Sequence, residues 1–145
     1  MTLWQRLKEL DSTIGDVARY QGRVVLLALE PVTYGSFSKQ IEDLHTKHHG
    51  EGLVIIQVAS VNRAYGLPPE PEQRRNMEKI VVLRRWPWPV LWHPRGHDDI
   101  ARGWGSTTLP SWMLIGRDDR LVPSRAGPFS VSIPRELAQP VPATP

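Results

Sequence analysis

Residues 25–44 have the sequence Val25-Leu-Leu-Ala-Leu-Glu-Pro-Val-Thr-Tyr-Gly-Ser-Phe-Ser-Lys-Gln-Ile-Glu-Asp-Leu44. They begin within an unbroken apolar run, residues 24–29, which is typical of a strand buried on both faces of a sheet. Apolar residues then recur at helical spacing up to Gly50, so residues 36–49 are predicted to form a helix. The stretch therefore predicts a buried strand that leads directly into a helix.

The elements around this stretch predict a mixed sheet. Residues 52–59 form a second apolar run, so the two strands and their helix make a right-handed βαβ unit. Further predicted elements are an N-terminal helix on Trp4, Leu7 and Leu10, a helix over 72–85, a short strand over 89–92, and a hairpin of 111–115 with 121–122. We expect an N-terminal helical extension over 1–14, one domain over 15–122 and a proline-rich tail over 123–145.

Composition sets limits on the function. A chain of 145 residues fits one core, and 40% apolar with 23% charged residues is a soluble globular composition. The longest apolar run is far too short to span a bilayer, and a net charge of +3 is too small to favour a nucleic-acid partner. A native Met1 would place the chain in the cytoplasm, whereas a processed or excised domain would fit the periplasm.

Cysteine is absent, which excludes disulfides, thiol nucleophiles and thiolate metal sites.

The order of these elements resembles that of thioredoxin-like proteins, most closely the TlpA/ResA-type thiol–disulfide oxidoreductases. In that group the first long strand leads into a Cys-x-x-Cys motif that opens a helix. Trp88-Pro-Val-Leu-Trp-His-Pro94 is similar to the group's short strand, and Gly103-Trp-Gly-Ser-Thr-Thr-Leu-Pro-Ser-Trp-Met-Leu-Ile115 resembles its cis-proline segment. The resemblance implies a three-layer α/β/α sandwich with a mixed central sheet. It also implies a cis bond between Leu109 and Pro110, beside the former active site.

The departures from that pattern concern the reacting groups. Tyr34 and Phe37 occupy the two cysteine positions, and Gln40 replaces a carboxylate of the ResA-like proteins. Neither ring can replace a thiolate, because a tyrosine hydroxyl ionises near pH 10 and phenylalanine does not ionise. Disulfide exchange by this chain is therefore excluded, and we expect it not to be an enzyme.

Two other chemistries are open to the chain, and each has a structural alternative. Ser36 near a helix start could act as a nucleophile, and Tyr34 could activate a thiol, although capping by Ser36 is the simpler interpretation. His45, His48 and His49 are a weak candidate metal site, since imidazoles also favour a helix C-terminus. We expect no cofactor. Four arginines, which alternate with glutamates in and beside the 72–85 helix, predict a solvated helix face: Arg74, Arg75, Arg84 and Arg85.

Tryptophan is abundant, with six residues in the chain, five of them between Trp86 and Trp112. One interpretation is that these tryptophans are all buried in the core. The other is that some form an exposed surface for a protein partner, with Trp86, Trp88 and Trp92 as candidates. We expect a structural or binding subunit of a larger assembly or homo-oligomer. The alternative is a stand-alone peptide-binding module that uses the former groove: Tyr34, Gly35, Ser36, Phe37, Leu109 and Pro110.

Overall fold

A five-stranded mixed sheet forms the centre of the structure, a computed structural model that describes residues 4, 7, 10–12, 17–31, 38–63, 65–93, 111–122 and 129–141. The strand order is β1-β4-β3-β2-β5. The strands are β1 (Asp11–Ser12), β2 (Val25–Pro31), β3 (Val54–Ser60), β4 (Val90–His93) and β5 (Ser111–Ile115). The α-helices are α1 (Ser38–His48), α2 (Glu70–Arg84) and α3 (Phe129–Leu137), and Val17–Tyr20 and His49–Glu51 are 3-10 turns.

The central strands are parallel and buried on both faces. β2 pairs with β3 from Val25↔Val54 to Pro31↔Ser60, and β3 pairs with β4 from Gln57↔Val90 to Ser60↔His93. Alternate residues of β2 enter two different apolar clusters, because successive side chains of a strand point to opposite faces. The continuous apolar run of the sequence is thus explained by a sheet covered on both sides.

The two crossover helices cover the same face of the sheet. Ile41 of α1 packs in one cluster with Met77 and Val81 of α2. Both crossovers step in the same direction, from β2 to β3 and from β3 to β4, so the right-handed rule places both helices on one side. The other face is covered by Trp4, Leu7 and Val17. The predicted α/β class is confirmed.

The C-terminal helix lies in the segment predicted to be a proline-rich tail. It begins at Phe129 and contains Pro134 in its interior. A proline there removes a helical hydrogen bond. Ile133, which is fully buried in the core cluster, and Phe129, which packs against that cluster, offset this cost. Residues of the predicted tail thus contribute to the core.

Two edge features complete the described architecture. β5 pairs antiparallel with β2, and Leu121 returns to Ile115 through a single bridge, as the predicted hairpin requires. β1, which was not predicted, pairs antiparallel with β4. Within the described ranges, no helix is both long enough and apolar enough to traverse a membrane.

Candidate functional site

The carboxyl ends of three parallel strands meet at one edge of the sheet. Pro31, Ser60 and His93 are neighbours in register, and each is the last residue of its strand. In open α/β sheets, ligands bind beyond this edge. Segment 32–37 follows Pro31 and segment 94–110 follows His93. The predicted groove residues Tyr34, Gly35, Ser36, Phe37, Leu109 and Pro110 belong to these segments and lie outside the described residues.

Two polar side chains are buried at this edge. Ser60 is fully buried and His93 is 3% exposed. They are register partners on adjacent parallel strands, so their side chains project from the same face of the sheet. Among the described residues, the Ser60 hydroxyl has no hydrogen-bond partner. Because neither side chain reaches solvent, the pair belongs to the interior beneath the edge rather than to its surface.

One buried glutamine binds both ends of the loop between β3 and α2. Gln73 Oε1 accepts a hydrogen bond from the Asn62 amide at 2.8 Å. Its Nε2 group donates to the Asn62 carbonyl at 2.8 Å and to the Pro68 carbonyl at 2.7 Å. Nothing in the sequence indicates this role, because a lone glutamine in a helix is usually solvated. Its three bonds fix the loop that borders the carboxyl edge.

The same loop exposes an aromatic side chain. Tyr65 is fully exposed and Leu67 is 42% exposed, whereas Val61 at the start of the loop is buried. Gly66 follows Tyr65 with a φ of 85°, a conformation that favours glycine. The sequence indication is a tyrosine beside a glycine, between a predicted strand and a predicted helix. Tyr65 offers a large amphipathic contact surface on a loop whose two ends Gln73 binds.

The three tryptophan candidates for an exposed surface are buried, which corrects that expectation. Trp86 is 9% exposed, Trp88 is 3% exposed and Trp92 is fully buried. The rings of Trp86 and Trp88 stack on each other, with centroids 5.5 Å apart. The indole N–H groups donate to partners distant in sequence: Trp86 to Glu42, Trp88 to Gln57 and Trp92 to Glu70, at 2.8, 3.0 and 2.6 Å. The sequence could not reveal these partners.

The three histidines that are candidates for a metal site make different contacts. The rings of His45 and His49 stack with centroids 4.7 Å apart. His49 Nδ1 donates to the His45 carbonyl at 2.9 Å, while His48 is buried with its Nδ1 3.4 Å from Glu51 Oε2. No group of three or more potential ligands could hold a metal ion anywhere in the described part of the chain.

The environment of His45 disfavours its protonated form. Burial lowers the pKa of His45, and the neighbouring His49 lowers it further. Its Nδ1 is buried and has no hydrogen-bond partner in the described part of the chain, and its ring lies 5.3 Å from that of Trp88. A group whose pKa is depressed on folding binds protons more weakly in the folded state than in the unfolded state.

We expect His45 to make the protein less stable in acid. As the pH falls below 6.5, the usual pKa of the side chain, the unfolded state takes up the proton first and the free energy of unfolding decreases. Urea unfolding at about pH 8 and about pH 5 measures this loss in the wild type and in His45→Gln. The variant should lose less stability than the wild type, and equal losses would show that His45 is not responsible.

Comparisons with known proteins identify the fold. No protein-family model matches the sequence, and no curated protein matches it significantly. Solved structures do match. A thioredoxin-like superfamily protein is 15% identical with a TM-score of 0.60 and covers 90% of each chain. A thiol-disulfide isomerase from Corynebacterium glutamicum is 13% identical with a TM-score of 0.60, over 85% of this chain and 86% of its own.

A third solved structure is also similar to this chain. It is a protein of Chlorobium tepidum assigned as the thiol:disulfide interchange protein DsbE, 18% identical with a TM-score of 0.63, over 89% of this chain and 92% of its own. At these identities the likeness concerns the fold alone. The chain has a thioredoxin-like fold, its structural neighbours include thiol–disulfide oxidoreductases, and it contains no cysteine.

Proposed function

We propose that this chain is a redox-inactive thioredoxin-fold protein that acts as a structural or binding subunit of a larger protein assembly. One observation supports this most directly: the fold is that of thiol–disulfide oxidoreductases, yet none of the 145 residues is a cysteine. Thiol exchange requires a thiolate nucleophile. A fold retained without its reacting groups is better explained by contacts than by catalysis.

The proposal also states from which group of thiol–disulfide oxidoreductases the former active site derives. We place the chain nearest the TlpA/ResA-type group, with Tyr34 and Phe37 at the former cysteine positions. Support comes from the position of the segment: β2 ends at Pro31 and α1 begins at Ser38, so residues 32–37 connect a central strand to the helix that follows it. This is where the group carries its motif. The bond between Leu109 and Pro110 is proposed to be cis, as in that group.

The carboxyl edge of the sheet is the proposed contact face. Tyr65 projects from a loop that Gln73 holds in place, next to the edge that segment 32–37 follows. Rigid aromatic side chains provide contact area at a low entropic cost. The partner is proposed to be a protein segment that lies in the former groove against Tyr34 and Pro110, with Tyr65 at its border. Trp86, Trp88 and Trp92 play no direct part, because they are buried.

The first test is chemical. The protein should neither reduce disulfides nor oxidise dithiols at any pH, since it has no thiol. Insulin reduction and dithiol oxidation by a homogeneous sample measure both directions. A double variant with Tyr34→Cys and Phe37→Cys is the positive control. It is expected to gain slow exchange while Gln40 leaves it without a nearby acid. Measurable turnover by the unaltered protein would reject the redox-inactive assignment.

The second test concerns the contact face. Tyr34→Ala should weaken partner capture from native extract by about tenfold or more, as expected for an aromatic anchor at the centre of an interface, and Tyr65→Ala, at its border, should weaken capture less. Lys47→Ala is the matched control, because Lys47 is an exposed residue near the end of α1. Stoichiometric companions identified by mass measurement would support the subunit proposal. If both tyrosine variants fold and capture every companion as well as the control, this edge is not the contact face.

A further inference from the structure

The N-terminal residues cross the face of the sheet that α1 and α2 leave uncovered. Trp4 lies beside Asp119, in the turn after β5. Because β5 runs antiparallel to β2, this turn lies at the amino edge of the parallel strands. Asp11, by contrast, pairs with Trp92 near the carboxyl end of β4, and the fully buried Leu7 lies between these two points in the chain. We name the described residues of this crossing the strap: Trp4, Leu7 and residues 10–12.

One carboxylate holds the end of the strap at the amino edge. Asp119 Oδ1 accepts a hydrogen bond from Trp4 Nε1 at 3.2 Å and a second from the Gly22 amide at 2.8 Å. The two donors lie 115 and 97 residues away in the sequence, so this side chain joins the strap, the loop before β2 and the turn after β5. Hydrogen bonds to a charged acceptor are stronger than those between neutral groups.

The backbone of Asp119 shows what its carboxylate contributes. The φ of Asp119 is 63°, which lies in the left-handed region where glycine is the least strained residue. Its neighbour Asp118 bonds within the turn, since its Oδ1 accepts from the Arg120 amide at 3.1 Å. A glycine at position 119 would suit the turn better. The aspartate therefore contributes the contact with Trp4 and Gly22 rather than the shape of the turn.

The end of the strap at the carboxyl edge is held by few backbone bonds. The Val61 amide, directly after β3, donates to the His93 carbonyl, so His93 directs its backbone groups toward β3. Backbone groups of successive strand residues point in opposite directions, so Trp92 directs its own toward Asp11. The Trp92 amide is therefore paired by the strap. β1 has two residues, whereas β2 and β3 have seven each.

We propose that the strap opens without unfolding the rest of the domain, and that Asp119 is the clasp that keeps it closed. Segments with few attachments open at a lower free energy than the core strands do. An open strap leaves the Trp92 backbone as an unpaired strand edge next to His93, and extended segments of other chains add to such edges. The strap thus controls access to a strand edge beside the proposed contact face, and its existence does not depend on that face.

Native-state hydrogen exchange measures the opening of the strap. The reporters are the amides of Trp92 and Leu10, since Leu10 donates to the Leu7 carbonyl at 3.1 Å. The Ile56 amide, in the middle of β3, reports global unfolding. In the wild type, the protection factors of both strap amides should be at least about tenfold below that of Ile56. Asp119→Gly should lower them by about tenfold more and leave Ile56 nearly unchanged, because it removes two bonds to a charged acceptor but also relieves the left-handed backbone.

Three further variants distinguish the clasp from a general effect of charge. Asp118→Asn removes the same charge from the same turn and should leave the protection of the strap unchanged. Asp119→Asn keeps an acceptor oxygen and should retain most of the protection. Trp4→Phe removes the donor N–H group and should lower the protection of the strap. It should do so by less in the Asp119→Gly protein, because the bond that it breaks is already lost there.

The results decide the strap and its clasp separately. If the Trp92 and Leu10 amides are as protected as Ile56 in the wild type, the segment opens only with the whole domain and the strap is wrong. If Asp119→Gly leaves their protection unchanged, or if Asp118→Asn lowers it equally, Asp119 is not the clasp. None of these measurements involves a partner or a redox substrate, so neither result bears on the proposed function.

Discussion

Replacing Trp92 with alanine is expected to lower the free energy of unfolding by about 4 kcal/mol, at the upper end of single core substitutions. Trp92 is fully buried in the apolar cluster that joins α1, α2 and α3 to the sheet. The substitution leaves a cavity and removes the indole donor that Glu70 Oε1 accepts from. Urea unfolding monitored by circular dichroism measures the change.

Trp92→Phe separates the two contributions. It retains most of the apolar volume but removes the N–H group, so Glu70 remains half-buried without this donor. A loss of about 1–3 kcal/mol is expected, which is typical of a hydrogen bond to a charged acceptor. A Trp92→Ala protein that unfolds at wild-type urea concentrations yet loses a partner would restore the idea that this tryptophan faces outward.

The strands were predictable because the apolar residues that define each strand are adjacent in the sequence. Residues 24–29 are all apolar and residues 53–59 are apolar except for Gln57, and only a sheet covered on both faces buries both sets of side chains. Their separation by one helix then determined the parallel pairing and its handedness. The main parts of the fold therefore followed from residue patterns, and the structural neighbours agree with them.

The tryptophans were not predictable in the same way. Their burial depends on polar partners that lie 22 to 44 residues away in the chain. An indole is easily buried only when its N–H group finds an acceptor, and the sequence does not show which carboxylate or amide comes near. A high tryptophan count therefore allowed both an exposed and a buried interpretation.

The exposed pair Val82 and Leu83 on α2 can be inferred from the sequence. Residues 80–83 are four consecutive apolar residues, and a helix turns by about 100° per residue, so they cannot all face the core. The structure buries Val81 and leaves Val82 and Leu83 outside. The arginines of this helix predict a solvated face, whereas the apolar run indicates aliphatic side chains on that face.

Gln73→Glu is expected to lower the free energy of unfolding by about 3 kcal/mol while preserving the shape of the side chain. The carboxylate still accepts from the Asn62 amide but no longer donates to the carbonyls of Asn62 and Pro68. It also places a negative charge beside both carbonyl oxygens at a site that is 5% exposed. Urea unfolding gives the loss, and hydrogen exchange at Asn62 reports the loosening of the loop.

The pH dependence of that loss distinguishes the buried bonds from a general effect of the added charge. A protonated carboxyl regains one donor, so the deficit of Gln73→Glu should shrink as the pH is lowered toward 5. Gln40→Glu, the same change at an exposed position in α1, should alter stability by no more than about 0.5 kcal/mol at any pH. If the two variants behave alike, Gln73 does not hold the loop. If Gln73→Glu weakens partner capture as well as stability, the bonds that Gln73 makes also support the contact between the loop that carries Tyr65 and the partner.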